Sequence, residues 1–148
     1  MSTDLPNELA SQNVERLIAL TEQLTAQIGR DAEAFEARRP HEPASRIQET
    51  ARLANVYRHE SGRVRENPAL VAGAPRELRR RLMRASEAFE RTLARHGRAL
   101  YAVKTVTEGV VRAIAEEIAL ARAANVGYGP GAKCQAVNTT AITLNRSA

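Results

Sequence analysis

The sequence predicts an all-α protein: an antiparallel helical bundle or coiled-coil hairpin of three helices, with a long C-terminal helix and an irregular tail. Apolar residues recur at spacings of three and four along three segments. Prolines and glycines cluster between those segments, where helices end. Only five of the 148 residues are aromatic, and Ala, Arg, Glu and Leu dominate, which is typical of helices packed through narrow aliphatic seams.

Length, cysteine content and hydropathy narrow the class of protein. A chain of 148 residues fits one helical domain, expected over residues 1–124, with a flexible tail over residues 125–148. The single cysteine, Cys134, excludes an internal disulfide framework and fits a reducing compartment. The opening MSTDLPNELA has no secretory signal, and no window is long and apolar enough to span a membrane. We therefore expect a cytoplasmic protein without membrane insertion.

The first helix is expected from about Ser11 to about Arg38. A heptad seam runs along it, and Asp31 interrupts one position of that seam. Pro40 and Pro43 predict its end, because proline lacks an amide hydrogen and disfavours helix at the preceding residue. The seam consists of Val14, Leu17, Thr21, Leu24, Ile28 and Phe35.

The second helix is expected over residues 45–66. Ser45 followed by Gln48 forms a capping-box pattern at its start. Its seam is weaker than the first because several members are small or polar; they are Ile47, Thr50, Ala54, Tyr57, Ser61 and Val64. The stretch ENPALVAGAP then interrupts the chain, and Pro75 suits the first position of a new helix.

The third helix, expected over residues 75–124, carries the longest apolar stripe. At 100° per residue the stripe occupies a sector about 80° wide. Glycine in NVGYGPG predicts the end of the helix, with Gly127 as the C-terminal cap. The stripe comprises Leu78, Leu82, Ala85, Phe89, Leu93, His96, Leu100, Val103, Val110, Ile114 and Ile118, with Val106 and Val111 beside it.

The predicted helices differ in length, at roughly 42, 33 and 75 Å. The two shorter helices can cover the third to about Leu100, because short connections make consecutive helices antiparallel neighbours. Roughly 25 residues should then overhang, and an exposed apolar stripe of this kind indicates an open groove for an amphipathic helix of a partner. The predicted partner-binding residues are Leu100, Val103, Val106, Val110, Val111, Ile114 and Ile118.

Other arrangements of the third helix remain open. Gly97 could form a turn that closes a four-helix bundle, and Gly109 could kink the helix. A continuous helix is favoured, since the stripe keeps its phase through both positions and glycine costs only about 1 kcal/mol in a helix interior. The stripe could also pair with a second copy of the chain to form a homodimer.

Candidate catalytic and metal-binding residues do not form a site. His41, His59 and His96 lack the spacing of metal or nucleophile motifs, and His96 is interpreted as a packed residue of the stripe. GYGPG is not followed by the Lys-Ser/Thr pair of a phosphate-binding loop. Cys134 is interpreted as a thiol without a functional role. We expect no catalytic activity, no cofactor and no bound metal.

The charge of the chain is unevenly distributed. Residues 1–36 hold seven acidic and two basic residues, a net charge of −5, and residues 37–148 carry +10. The basic segment RELRRRLMR could form a charged helix face that contacts the phosphates of a nucleic acid. Glutamates interleave with the arginines and no aromatic residue lies among them, which favours a solvated helix face over nucleic-acid binding.

Three stretches of the chain carry a resemblance to a known family: ETARLANVYRHESGRVRENPALVAGAP, LYAVKTVTEGVVRAIAEE, and GYGP followed by a terminus ending in LNRSA. Together they resemble the FlgN-like flagellar proteins, in particular a basal-body-associated subset, the FlbY type. The resemblance covers most of the chain from Val14 onward. It implies a small all-helical cytoplasmic chaperone of the flagellar type III export system, without cofactor or catalysis.

The resemblance also implies partners. FlgN-like chaperones hold the C-terminal helical segment of hook–filament junction subunits and deliver it to the export apparatus. The family's long last helix corresponds to residues 75–124 here, and its tyrosine-glycine segment, which contributes to docking, to Tyr128 and Gly129. The chain departs from the family in its Gly-Pro-Gly stretch and threonine-rich terminus. On this interpretation Tyr128 anchors a docking tail with Ile142 and Leu144 as secondary contacts; the alternative is a disordered terminus without a role.

Overall fold

The computed structural model describes residues 4–126, and these residues form helices without any β-strand. The all-α class is therefore confirmed, and three long helices occupy the three predicted segments. Two short helices, α2 and α4, lie in the connections between them. The five helices are α1 (Asp4–Glu36), α2 (His41–Ser45), α3 (Ile47–Glu66), α4 (Ala69–Ala72) and α5 (Arg76–Val126).

The described part of the chain divides into two units, a first unit up to Glu108 and a second unit from Gly109 onward. In the described part of the first unit, α3 runs antiparallel to α1: Gln27 contacts Thr50, whereas Leu17 and Val64 line one small cleft. The unit's part of α5 runs parallel to α1, because Leu82 packs near the start of α1 and His96 near its end. In the second unit, residues 109–126 are helical, and each of them is exposed.

The core of the first unit lies along α1, since α3 and α5 both pack against this helix. The residues buried on α1 follow the predicted three- and four-residue spacing. α3 has no fully buried residue among those described, and α5 buries only Ala85 and Ala99. The buried apolar side chains of α1 are Ala10, Val14, Leu17, Ile18, Leu24, Ile28, Ala32 and Ala34.

Helix α1 begins at Asp4, earlier than the expected start near Ser11. Pro6 is compatible with this start because it lies in the first turn, where an amide hydrogen would lack an intrahelical acceptor. Leu5 and Leu9 on this added segment are 65% and 59% exposed. The first helix therefore extends beyond the buried seam from which it was predicted.

The start of α3 differs from the prediction in detail. Arg46, not Ser45, is the N-cap residue, and it makes no side-chain capping hydrogen bond. The Ser45 hydroxyl instead donates to the carbonyl oxygen of Glu42 at 2.7 Å. The capping box predicted at Ser45 and Gln48 is wrong, because Ser45 is the last residue of α2.

Helix α5 is helical at Gly97 and Gly109 and reaches Val126, the last residue that the structure describes. A Cβ atom added at either glycine would meet no atom within 4 Å. No turn forms at Gly97, so the closed four-helix bundle is not the structure of the described residues.

Candidate partner-binding site

The predicted partner-binding residues of the first unit border two clefts. Leu100 is 45% exposed and Val106 is 58% exposed, and Val103 is half-buried. Leu100 lines one cleft, while Val103 and Val106 line the other. The structure thus places these side chains beside residues of other helices.

The first cleft, called here the proline cleft, has a volume of about 410 Å³. It lies where the end of α1, the helix α2 and the first half of α3 face α5. Its lining includes small side chains of α3 and two prolines. Its lining residues are Asp31, Phe35, Pro40, Pro43, Ala44, Ile47, Thr50, Ala51, Ala54, His96 and Leu100.

The second cleft, called here the valine cleft, has a volume of about 370 Å³. It is formed by the end of α1, the residues that follow it, and α5. Phe35 and Pro40 line both clefts, so the two clefts adjoin at these side chains. The lining residues are Phe35, Glu36, Arg38, Pro40, Ala99, Ala102, Val103, Val106 and Thr107.

The end of α1 positions the residues shared by the clefts. The amide of Arg38 donates to the carbonyl of Phe35 at 3.1 Å, and the amide of Arg39 donates to that of Ala34 at 2.8 Å. These two bonds form a Schellman motif, in which the residue at the position of Arg38 is left-handed. Arg38 has a φ of 59°, a conformation that favours glycine. The motif turns the chain into Pro40 and α2.

A buried ion pair lies beside the proline cleft. The Asp31 side chain is 5% exposed and accepts a hydrogen bond from the Arg46 guanidinium at 2.8 Å. The Nε atom of Arg46 is buried and has no hydrogen-bond partner among the described residues. Asp31, which interrupts the apolar seam in the sequence, is therefore tolerated at a buried position because Arg46 neutralises it.

A second ion pair lies beside the valine cleft. Glu36 accepts hydrogen bonds from Nε and one terminal nitrogen of Arg95, at 2.8 and 2.7 Å. These hydrogen bonds lower the pKa of the Glu36 carboxyl below its ordinary 4.5. Desolvation opposes this effect, while the charges of Arg95 and Arg98 also lower the pKa. Among residues 4–126, Arg38 forms no ion pair.

His96 packs against Phe35 where the two clefts meet. The ring centroids lie 5.6 Å apart, with the ring planes at 74°, an edge-to-face geometry typical of aromatic pairs. The interpretation of His96 as a packed residue of the stripe agrees with this contact.

The remaining predicted partner-binding residues belong to the second unit. All four are exposed: Val110 by 53%, Val111 by 62%, Ile114 by 52% and Ile118 by 48%. Val110, Ile114 and Ile118 recur every four residues, which places them along one side of this helical segment. Their role in partner binding stays a prediction.

Several predicted features lie outside the described residues. These are the docking-tail residues Tyr128, Gly129, Ile142 and Leu144, together with the helix cap Gly127 and the thiol of Cys134.

The basic segment RELRRRLMR lies within the described residues. Its Arg84 pairs with Glu77 at 3.2 Å, both side chains being about two-thirds exposed.

The structure also brings residues to the site that sequence reasoning missed. The periodicity predicts only that Phe35 belongs to the seam of α1, and the sequence explains Pro40 and Pro43 only as helix terminators. Ile47, expected in the seam of α3, is 66% exposed. The sequence signal for this turn is the pair of closely spaced prolines, Pro40 and Pro43, a few residues after Phe35 at the end of the helix.

Residues 4–126 contain no group of three or more His, Cys, Asp or Glu side chains that could hold a metal ion. Within the same part of the chain, no helix is long and apolar enough to cross a membrane.

Comparison with known proteins identifies a close relative. The flagellar basal-body protein FlbY of Caulobacter vibrioides is 54% identical over 142 residues, which cover 94% of this chain and 95% of that protein. No protein-family model matches the chain. No solved structure matches it either.

Proposed function

This chain belongs to the FlbY family of flagellar basal-body proteins, and on that premise we propose that it is a flagellar assembly protein. The proposed activity is that of a type III export chaperone. The protein binds a helical segment of a hook–filament junction subunit in the cytoplasm and delivers it to the export apparatus. It does so without catalysis and without a cofactor.

The observation that carries this proposal is the series of exposed apolar side chains on α5. Leu100 and Val106 in the first unit, and Val110, Ile114 and Ile118 in the second, are each about half exposed. Fully burying such a side chain is favourable by roughly 1.5–3 kcal/mol. In each unit this exposure is therefore costly in the free chain, and it favours a partner whose own apolar face covers the exposed side chains of that unit.

The test adds charge to this series in the second unit. Val110→Asp combined with Ile114→Asp should abolish capture of the purified hook–filament junction subunit, because a carboxylate cannot enter an apolar contact without losing its hydration. Binding is measured by isothermal titration calorimetry, and helicity by circular dichroism. We expect helicity close to that of the wild type, since both positions are exposed.

The control carries the same charge elsewhere on the same segment. Ala115→Asp combined with Ala119→Asp adds two carboxylates at exposed positions, at the same four-residue spacing and away from Val110 and Ile114 around the helix. This variant should bind the subunit as the wild type does. Equal binding by both double variants would refute a role for Val110 and Ile114.

The same exposed residues support a second function. Through them the chain would pair with a second copy, as a non-catalytic coiled-coil adaptor in basal-body assembly or regulation. Sedimentation would then show a concentration-dependent dimer that Val110→Asp with Ile114→Asp dissociates. A monomer at all concentrations would remove this second function and leave the chaperone proposal in place.

A further inference from the structure

We propose that the proline cleft and the valine cleft together form the docking site for the partner helix, and that this helix presents an acidic side chain to Arg38. The inference rests on the proposed function and specifies its partner: an amphipathic helix with apolar residues on one face and a carboxylate at the edge of that face. It assigns recognition to the end of α1, and not to α5 alone.

The geometry of the clefts fits such a helix. Their volumes, about 410 and 370 Å³, lie in the range of binding pockets, about 300–1,000 Å³. Both are lined by Phe35 and Pro40, so one ligand can occupy them together. Amphipathic helices bind grooves through apolar anchors spaced three, four or seven residues apart, and successive anchors of one helix can enter the two adjoining clefts.

The charged residues that line the clefts indicate which polar side chain the partner helix carries. Asp31 is neutralised by Arg46, and Glu36 by Arg95. Arg38 lines the valine cleft and, in the part of the chain that the structure describes, has no ion pair. The lining therefore carries one uncompensated positive charge, which is complementary to a carboxylate beside an apolar face.

The backbone at Arg38 supports a role for its side chain. Its φ of 59° would be adopted more easily by glycine, the usual residue at this position of a Schellman motif. Any residue with a Cβ atom is strained in this conformation, because the Cβ atom lies too close to the following carbonyl oxygen. Strain of this kind is found where a side chain serves a function, and the guanidinium at the cleft supplies that function.

The experiment measures binding of the purified hook–filament junction subunit to the full-length chain by calorimetry. Arg38→Gly removes the charge while relieving the backbone, so it should weaken binding about tenfold without loss of folding. Arg38→Lys keeps the charge and should bind more tightly than Arg38→Gly. The salt dependence of binding should be smaller for Arg38→Gly than for the wild type, because one ion pair is lost.

A second pair of variants tests the cavity itself. Ala51→Trp places a large ring at an exposed position of the proline cleft and should reduce affinity by more than about tenfold. Ala94→Trp places the same ring at an exposed position of α5 outside both clefts and should bind as the wild type does. Together, these results would support docking in the clefts.

Three other outcomes overturn the inference, and they are distinguishable. Wild-type affinity for Arg38→Gly and Ala51→Trp, with loss of binding only in Val110→Asp with Ile114→Asp, would refute the clefts and leave the proposed function standing. No binding by the wild-type chain would refute both. A dimer in sedimentation that Ala51→Trp dissociates would show that a second copy of the chain occupies the clefts.

Discussion

The carboxylate of Glu36 accepts two hydrogen bonds from the guanidinium of Arg95 and thereby joins the end of α1 to α5. The two residues are 59 positions apart in the sequence, so this pairing depends on the parallel packing of α1 and α5. It lies on the wall of the valine cleft. The bidentate geometry restricts both side chains more than a single exposed ion pair does.

The pairing predicts a dependence of stability on pH. The pKa of Glu36 is lowered below 4.5 by Arg95, so in the folded chain this carboxyl binds protons less readily than in the unfolded chain. Its contribution to stability is therefore complete above pH 4.5 and is lost as the pH falls through the lowered pKa. Wild type and Glu36→Gln should differ in urea midpoint near neutral pH and converge in acid. A difference that stays constant with pH would contradict this assignment.

The buried pair of Asp31 and Arg46 predicts an asymmetry between single and double variants. Asp31→Ala leaves Arg46, whose side chain is 29% exposed, without its partner, and should lower the free energy of unfolding by about 1–3 kcal/mol. Replacing both residues by leucine removes the unpaired charge and should cost less than Asp31→Ala alone. Urea denaturation measures both values.

The control for this prediction is Glu33→Ala. Glu33 lies on the same helix at an exposed position, so its loss should change the free energy of unfolding by no more than about 0.5 kcal/mol. If Asp31→Ala had an equally small effect, the ion pair would contribute nothing to stability.

The fold was predictable because its main determinants are local. Apolar spacing on α1 identified Val14 and Leu24 as buried, and the long stripe identified α5 as one helix through Gly97. Local patterns did not fix the ends of the helices. Ser45 had a capping sequence, but Pro43 is buried in the preceding short helix, and that packing places Ser45 at the end of α2.

The candidate site was predictable only in part, for a physical reason. Helical periodicity shows which side chains of α5 share a face, as for Leu100 and Val103, but it says nothing about residues that other helices bring beside them. Phe35 and Arg38 reach α5 only through tertiary packing. The left-handed backbone of Arg38 also has no signal in the sequence, since the usual residue at such a position is glycine.

The left-handed backbone at Arg38 predicts that one substitution at this position stabilises the chain. Arg38→Gly relieves the left-handed conformation and should raise the free energy of unfolding by roughly 0.5–1 kcal/mol, after the greater freedom of glycine in the unfolded chain is taken into account. Arg38→Ala keeps the Cβ atom and should give no such gain. Thermal unfolding followed by circular dichroism compares the two variants, and equal stability of Arg38→Gly and Arg38→Ala would contradict the strained backbone.

The continuity of α5 predicts the effect of adding one methyl group at Gly97. The glycine is helical, and an added Cβ atom would meet nothing within 4 Å, so Gly97→Ala should raise the free energy of unfolding by about 0.5–1 kcal/mol. Gly62 on α3 is also helical with open space around it, and Gly62→Ala is therefore a matched reference with the same expected gain. A turn at Gly97 would instead require backbone angles that alanine disfavours, and Gly97→Ala would then destabilise the chain while Gly62→Ala stabilised it. Urea denaturation of the two variants separates these outcomes because the predicted changes have opposite signs.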